Sequence, residues 1–163
     1  TKRIVGYRES TGDVFAPAVA LGLAVGRIGC FLSEQVGTPT SLPWGMAVDS
    51  ETASRVPMCA QCAPGVPMHP SFLYEVVFHA AMFPVLRRLD GLVTVRGDVF
   101  KLYLLAYGVF RFAVEFVRGN PPAAFGLSFS QLFLVPATML LLIYFGRQLL
   151  SRAYAVPSFD RAA

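Results

Sequence analysis

Residues 14–32 read VFAPAVALGLAVGRIGCFL, nineteen apolar or small residues interrupted by one charge, Arg27. The hydrocarbon core of a bilayer is about 30 Å thick and takes about 20 helical residues to cross. A block of this length with one charge predicts a membrane-spanning helix. Three further blocks follow. Residues 99–117, VFKLYLLAYGVFRFAVEFV, carry Lys101 at the start and Arg111 and Glu115 deeper in. Residues 129–145 hold no charge and are interrupted only by Pro136, which packed membrane helices tolerate. Residues 72–86 are shorter and contain Glu75, His79 and Pro84.

Composition agrees. The chain has 163 residues, 55% hydrophobic and 15% charged, against roughly 45–50% and 25% in a soluble domain. Three cysteines exclude a disulfide scaffold, and the long apolar blocks exclude a disordered tail. The net charge of +4 comes from Lys and Arg spread over short loops, so no nucleic-acid surface is expected. None of the four blocks reads as a signal peptide, no internal repeat or low-complexity tract stands out, and 1–163 is expected to form one membrane domain.

The basic residues alternate from loop to loop. Lys2, Arg3 and Arg8 precede the first block, Arg87, Arg88, Arg96 and Lys101 surround the second connection, and Arg147, Arg152 and Arg161 follow the last. The connections 33–71 and 118–128 hold one Arg each, Arg55 and Arg118. Cytoplasmic loops carry the excess of Lys and Arg. The pattern predicts an all-α, polytopic helical bundle of four spans (14–32, 72–86, 99–117, 129–145) with both termini in the cytoplasm. The outer loop 33–71, rich in Pro and Gly, holds Trp44, Cys59, Cys62 and His69.

Charges at membrane depth cost roughly 2.5–3.5 kcal/mol each on insertion scales and mark functional sites. Arg27, Glu75, Arg111 and Glu115 fall in the outer half of the predicted spans and are expected to line one outward pocket. Tyr107, Arg111 and Glu115 recur at i, i+4, i+8 on one helix face, with Arg118 beside it. Two guanidinium forks in apolar surroundings suit a phosphate, and the phosphate at hand in a membrane is a phospholipid head group. A structural reading stands beside this one: Arg and Glu pair to tie helices together. Cys59 and Cys62 form a lone CxxC, which suits a local disulfide or two thiols better than zinc, so no metal is expected. His79 reads as a helix–helix hydrogen-bond partner.

The motifs carry a resemblance that composition does not. Gly26-Arg27-Ile28-Gly29-Cys30-Phe31 resembles the GRxGNF signature of the prolipoprotein diacylglyceryl transferase family. His69-Pro70-Ser71-Phe72-Leu73-Tyr74-Glu75 is similar to its HPSQLYE, and residues 107–116 with Arg118 to its YGxFRxxxEFxR. Ser130-Gln131 falls where the family has a Gly-Gln or Ser-Gln pair. The matches occur in family order across nearly the whole chain. The resemblance implies a multi-pass enzyme of the bacterial inner membrane that moves the diacylglyceryl group of phosphatidylglycerol onto the lipobox cysteine of a prolipoprotein, releasing glycerol phosphate, with no metal or organic cofactor.

By that resemblance Arg27 and Arg111 match the essential arginines, and Tyr107 and Glu115 orient the second or shape the pocket. Gly26, Gly29, His69, Tyr74, Glu75 and Arg118 fall in the substrate-binding motifs. Cys30 stands where the signature has Asn and is expected to serve as a packing or hydrogen-bond substitute. The chain lines up with roughly the last four of the family's seven spans, and the upstream His-Gly-Gly segment has no counterpart. The expectation is therefore an incomplete transferase that does not catalyse the transfer alone. The alternative is a non-catalytic lipid-binding remnant. A small transporter lacks the half-helix pair or internal symmetry that would support it.

Overall fold

The computed structural model describes residues 11–33, 37–47, 50–51, 64–90, 92–93 and 95–151. Four long helices dominate them: α1 (Thr11–Ser33), α2 (Ser71–Leu89), α3 (Asp98–Arg118) and α4 (Phe129–Leu150). A two-residue antiparallel pair, β1 (Met46–Ala47) with β2 (Pro67–Met68), lies between α1 and α2. Among the described residues the regular structure is all-helical apart from this clip, and each expected block lies within one helix. Cys59 and Cys62 fall outside the described residues.

Helix α1 packs through small residues, and α1 and α4 leave most of their large ones outside. Ala16, Ala20 and Ala24 form the buried face of α1, while Val14, Phe15, Val19, Leu21, Val25 and Ile28 are exposed. This alanine stripe lets α1 pack closely on α2. On α4 only Gln131 is buried, and Phe129, Phe133, Met139, Leu140, Leu142 and Ile143 face outward. A soluble fold puts its bulky apolar side chains inside; this inversion fits an apolar surrounding. The helical segments Gly12–Cys30 and Phe129–Leu150 are each long and apolar enough to cross a membrane. In α3, Asp98, Lys101, Arg111, Glu115 and Arg118 dilute the apolar character.

Helix ends are closed by specific devices. Asp13 of α1 accepts from the backbone N–H groups of Gly97 and Phe100 (3.0 Å to the latter), capping α3 from a neighbouring helix. Gly97 (φ 91°) and Gly119 (φ 77°) flank α3 in the left-handed region that glycine enters without strain. Ser128 and Gln131 form a reciprocal capping box at the start of α4. Gly108 sits where α3 meets α4, since a Cβ there would lie 2.5 Å from Thr138 Cγ2. Pro17, Pro84 and Pro136 all lie inside continuous helices.

The segment after α1 docks on the ends of α2 and α3. Gly37 N–H donates to His69 O (2.7 Å), Thr38 N–H to Val117 O (2.8 Å), and His69 N–H to Thr38 O (2.9 Å). A Cβ on Gly37 would lie 2.0 Å from the Val117 carbonyl oxygen. Gly37→Ala is therefore expected to lower stability by about 1–3 kcal/mol, the usual penalty for forced overpacking. Gly22→Ala, where a Cβ meets nothing within 4 Å, should be neutral or slightly stabilising because Ala favours helix. Thermal unfolding of both variants checks this, and equal midpoints would show that the docking is not tight.

Candidate functional site

The charged side chains of α1, α2 and α3 singled out above converge on two carboxylates. Glu75, on the second turn of α2, is fully buried. Its Oε2 takes Arg27 Nε from α1 at 2.7 Å, and its Oε1 takes Arg118 NH1 from the end of α3 at 2.9 Å. Arg111 Nε stands 4.0 Å from the same Oε1, and the Tyr107 hydroxyl donates to Oε2 at 3.4 Å. One carboxylate thus gathers arginines from both neighbouring helices.

Glu115 is the second centre, and it is also buried. Arg111 NH1 donates to its Oε2, while Asn120 Nδ2 (2.6 Å) and Ser128 Oγ (2.7 Å) donate to its Oε1. Arg111 therefore lies between Glu75 and Glu115. Tyr107, Arg111 and Glu115 share one face of α3 through their four-residue spacing, which places all three toward this cluster.

Three guanidiniums against two carboxylates leave one formal positive charge. The carboxylates are sealed, but the Arg27, Arg111 and Arg118 side chains keep 21%, 13% and 17% of their surface. A guanidinium carries five N–H donors. Arg27 uses Nε on Glu75 and NH1 on Cys30 Sγ (3.9 Å) and also meets the Tyr107 hydroxyl, and Arg111 uses NH1 on Glu115. The arrangement is able to take a monoanion with oxygen acceptors at its exposed edge. Among the described residues no group of three or more His, Cys, Asp or Glu is arranged to hold a metal ion.

The other residues singled out from sequence surround this centre. A Cβ on Gly26 or Gly29 would meet nothing within 4 Å, so the α1 face next to Arg27 is open. Cys30 sits one turn beyond Arg27 as its hydrogen-bond acceptor. His69 Nδ1 lies 3.0 Å from Tyr74 OH, which also accepts from Trp44 Nε1 at 3.0 Å. These three form a separate group beside Glu75, at the mouth of α2. Ser71 Oγ, at the first position of α2, is buried without a hydrogen-bond partner. His79, one turn past Glu75, lies 2.9 Å through Nδ1 from the buried Tyr103 hydroxyl, a bridge from α2 to α3.

Sequence reasoning missed Asn120, Ser128 and Tyr103. Ser128 had a signal, since Ser-x-x-Gln before an apolar run is a capping box. Tyr103 also had one, four residues before Tyr107 on the same face. Asn120 had none, because its role depends on how the α3–α4 turn folds back.

The family model described as prolipoprotein diacylglyceryl transferase matches residues 8–146. Three proteins named phosphatidylglycerol–prolipoprotein diacylglyceryl transferase are similar. That of Methylococcus capsulatus is 39% identical over 150 residues, covering 88% of this chain and 51% of its own length. That of Finegoldia magna is 33% identical, covering 85% and 52%. That of Teredinibacter turnerae is 36% identical, covering 93% and 49%. The chain spans about half the length of these relatives.

Proposed function

The chain belongs to the prolipoprotein diacylglyceryl transferase family, and from that premise we propose that its arginine cluster holds the phosphate of phosphatidylglycerol as the leaving group of diacylglyceryl transfer to a prolipoprotein cysteine. The observation that carries this reading is the surplus guanidinium charge around two saturated carboxylates. In the reaction a thiolate attacks the glyceryl carbon bound to the phosphate oxygen. The C–S bond forms, the C–O bond breaks, and glycerol phosphate leaves with the electron pair. Negative charge grows on the leaving oxygen, and fixed guanidinium donors stabilise it in a poorly solvated site.

Each residue has a part in this scheme. Arg27 and Arg111 meet the phosphate, and Arg118 adds charge at the α3 end. Glu75 and Glu115 act through the arginines, holding them at fixed rotamers so that little is lost on binding. Tyr107 orients the Glu75 pair, and Cys30 supports Arg27. Gly26 and Gly29 leave room for the lipid beside α1. His69, with Tyr74, lies toward the peptide side. The acceptor thiol belongs to the prolipoprotein.

Membrane placement follows the same reading. The four helices cross the bacterial inner membrane, both termini lie in the cytoplasm, and the arginine cluster opens to the outer half. The alternating Lys and Arg loops and the outward apolar side chains support it. Cysteine-accessibility labelling should find Ser50→Cys reactive from outside and Arg96→Cys reactive only after permeabilisation. The reverse pattern would overturn both the orientation and the outward-facing site.

Lipid binding tests the functional reading. The chain, purified in mixed micelles and examined by native mass spectrometry, should retain phosphatidylglycerol in preference to zwitterionic phosphatidylcholine of the same acyl chains. Equal retention of the two would overturn the reading that the surplus guanidinium charge selects an anionic head group, because both carry a phosphate but only one is a net anion.

A further inference from the structure

His79 carries an atom that neither the fold nor the arginine cluster uses. Its side chain is fully buried, and Nε2 has no hydrogen-bond partner. Nδ1 is engaged with the Tyr103 hydroxyl. If Nδ1–H donated to that hydroxyl, the tyrosine proton would need an acceptor, and none is found among the described residues. Donation from Tyr103 to Nδ1 leaves one unpaired group instead of two. That tautomer puts the proton on Nε2, so the orphan is a buried N–H donor.

A buried donor without an acceptor is costly and calls for an explanation. Its place supplies one. His79 lies four residues past Glu75 on α2, about 6 Å along the helix axis. On α3 the same step separates Tyr103 from Tyr107. A polar column therefore runs from Arg111 through Tyr107 to the His79–Tyr103 pair, and below it the apolar core of Ala16, Ala20, Leu86 and Val99 begins. The His79 ring lies 4.7 Å from that of Tyr107. Tyr107 is only partly buried, and its 3.4 Å bond to Glu75 is long. Access to Nε2 from the arginine side requires Tyr107, whose hydroxyl also meets Arg27, to swing aside.

We infer that His79 Nε2–H donates to an acyl-ester carbonyl of the lipid whose phosphate sits on Arg27 and Arg111. This rests on the phosphate assignment above and adds a second subsite to it. In a diacyl glycerophospholipid the ester carbonyls stand a few bonds inward of the phosphate, as His79 stands one helical turn inward of Glu75. They are the first acceptors a lipid offers below its head group. An ether-linked lipid has the same charge, shape and chain length but lacks the carbonyl. The site thus distinguishes ester lipids from ether lipids, a selection the arginines cannot make.

The test compares short-chain diacyl phosphatidylglycerol with its di-O-alkyl analogue in detergent micelles. The full chain should bind the ester lipid about fivefold tighter, the worth of one neutral hydrogen bond. His79→Phe keeps an aromatic ring in the space and should bind both lipids equally. The chain has two histidines, so 15N-histidine labelling with His69→Gln as the assignment variant reads His79 directly. Its Nε2–H proton should move downfield with the ester lipid and stay in place with the ether lipid. Equal affinity of the unaltered chain for both, or an unmoved Nε2–H signal, would overturn the ester subsite and leave the phosphate reading standing. Failure of both lipids to bind would overturn both readings.

Discussion

Arg27→Lys and Arg111→Lys should each weaken phosphatidylglycerol binding by about 10- to 100-fold while the protein stays inserted and folded. The magnitude corresponds to the loss of one charge-assisted hydrogen bond, about 1.5–3 kcal/mol. Lys keeps the charge, so the cause is geometry. Arg111 meets Glu115 through NH1, turns Nε toward Glu75, and keeps 13% of its side-chain surface exposed. An ammonium places three donors at one point and cannot span two carboxylates and a phosphate together. Arg27 faces the same demand with Glu75 on Nε and Cys30 on NH1. Arg88→Lys, on the exposed end of α2 away from the cluster, is the matched control and should bind as before. Near-normal affinity in both cluster variants would mean that the arginines only tie helices together.

Much of this arrangement was legible in the sequence, and the rest was not for definable reasons. Helices α1 and α4 follow from apolar runs of membrane length, with one charge in the first and none in the second. The α3 face bearing Tyr107, Arg111 and Glu115 follows from four-residue spacing, which needs no knowledge of neighbours. Partner choice is different. Glu75 takes Arg27 from α1 and Arg118 from α3, and that depends on how three helices rotate against one another. The pairing of Glu115 with Asn120 depends on a turn. The clip between Met46–Ala47 and Pro67–Met68 is too short to show alternation. The cap that Asp13 provides for α3 joins residues far apart in sequence, as first-turn acidic residues ordinarily serve their own helix.

Glu75→Ala should be the most destabilising single change in the cluster, by about 3–5 kcal/mol, the cost of breaking a buried ion pair by removing one partner. The side chain is fully buried and is shared by Arg27 and Arg118, with Arg111 close by. Without it, three guanidiniums from two helices face each other, and only Glu115 remains to offset them. Glu75→Gln keeps the shape and one acceptor oxygen, so it should lose less. Its consequence for lipid is opposite in sign. The formal surplus of the cluster rises by one, and a bound phosphate replaces the missing anion. Ligands that bind the folded state stabilise it in proportion to their affinity. The deficit of Glu75→Gln should therefore be large in phosphatidylcholine bicelles and substantially smaller in phosphatidylglycerol bicelles, as read by thermal unfolding. An equal deficit in the two lipids would show that the net-anionic head group does not replace the missing carboxylate at the arginines Glu75 holds.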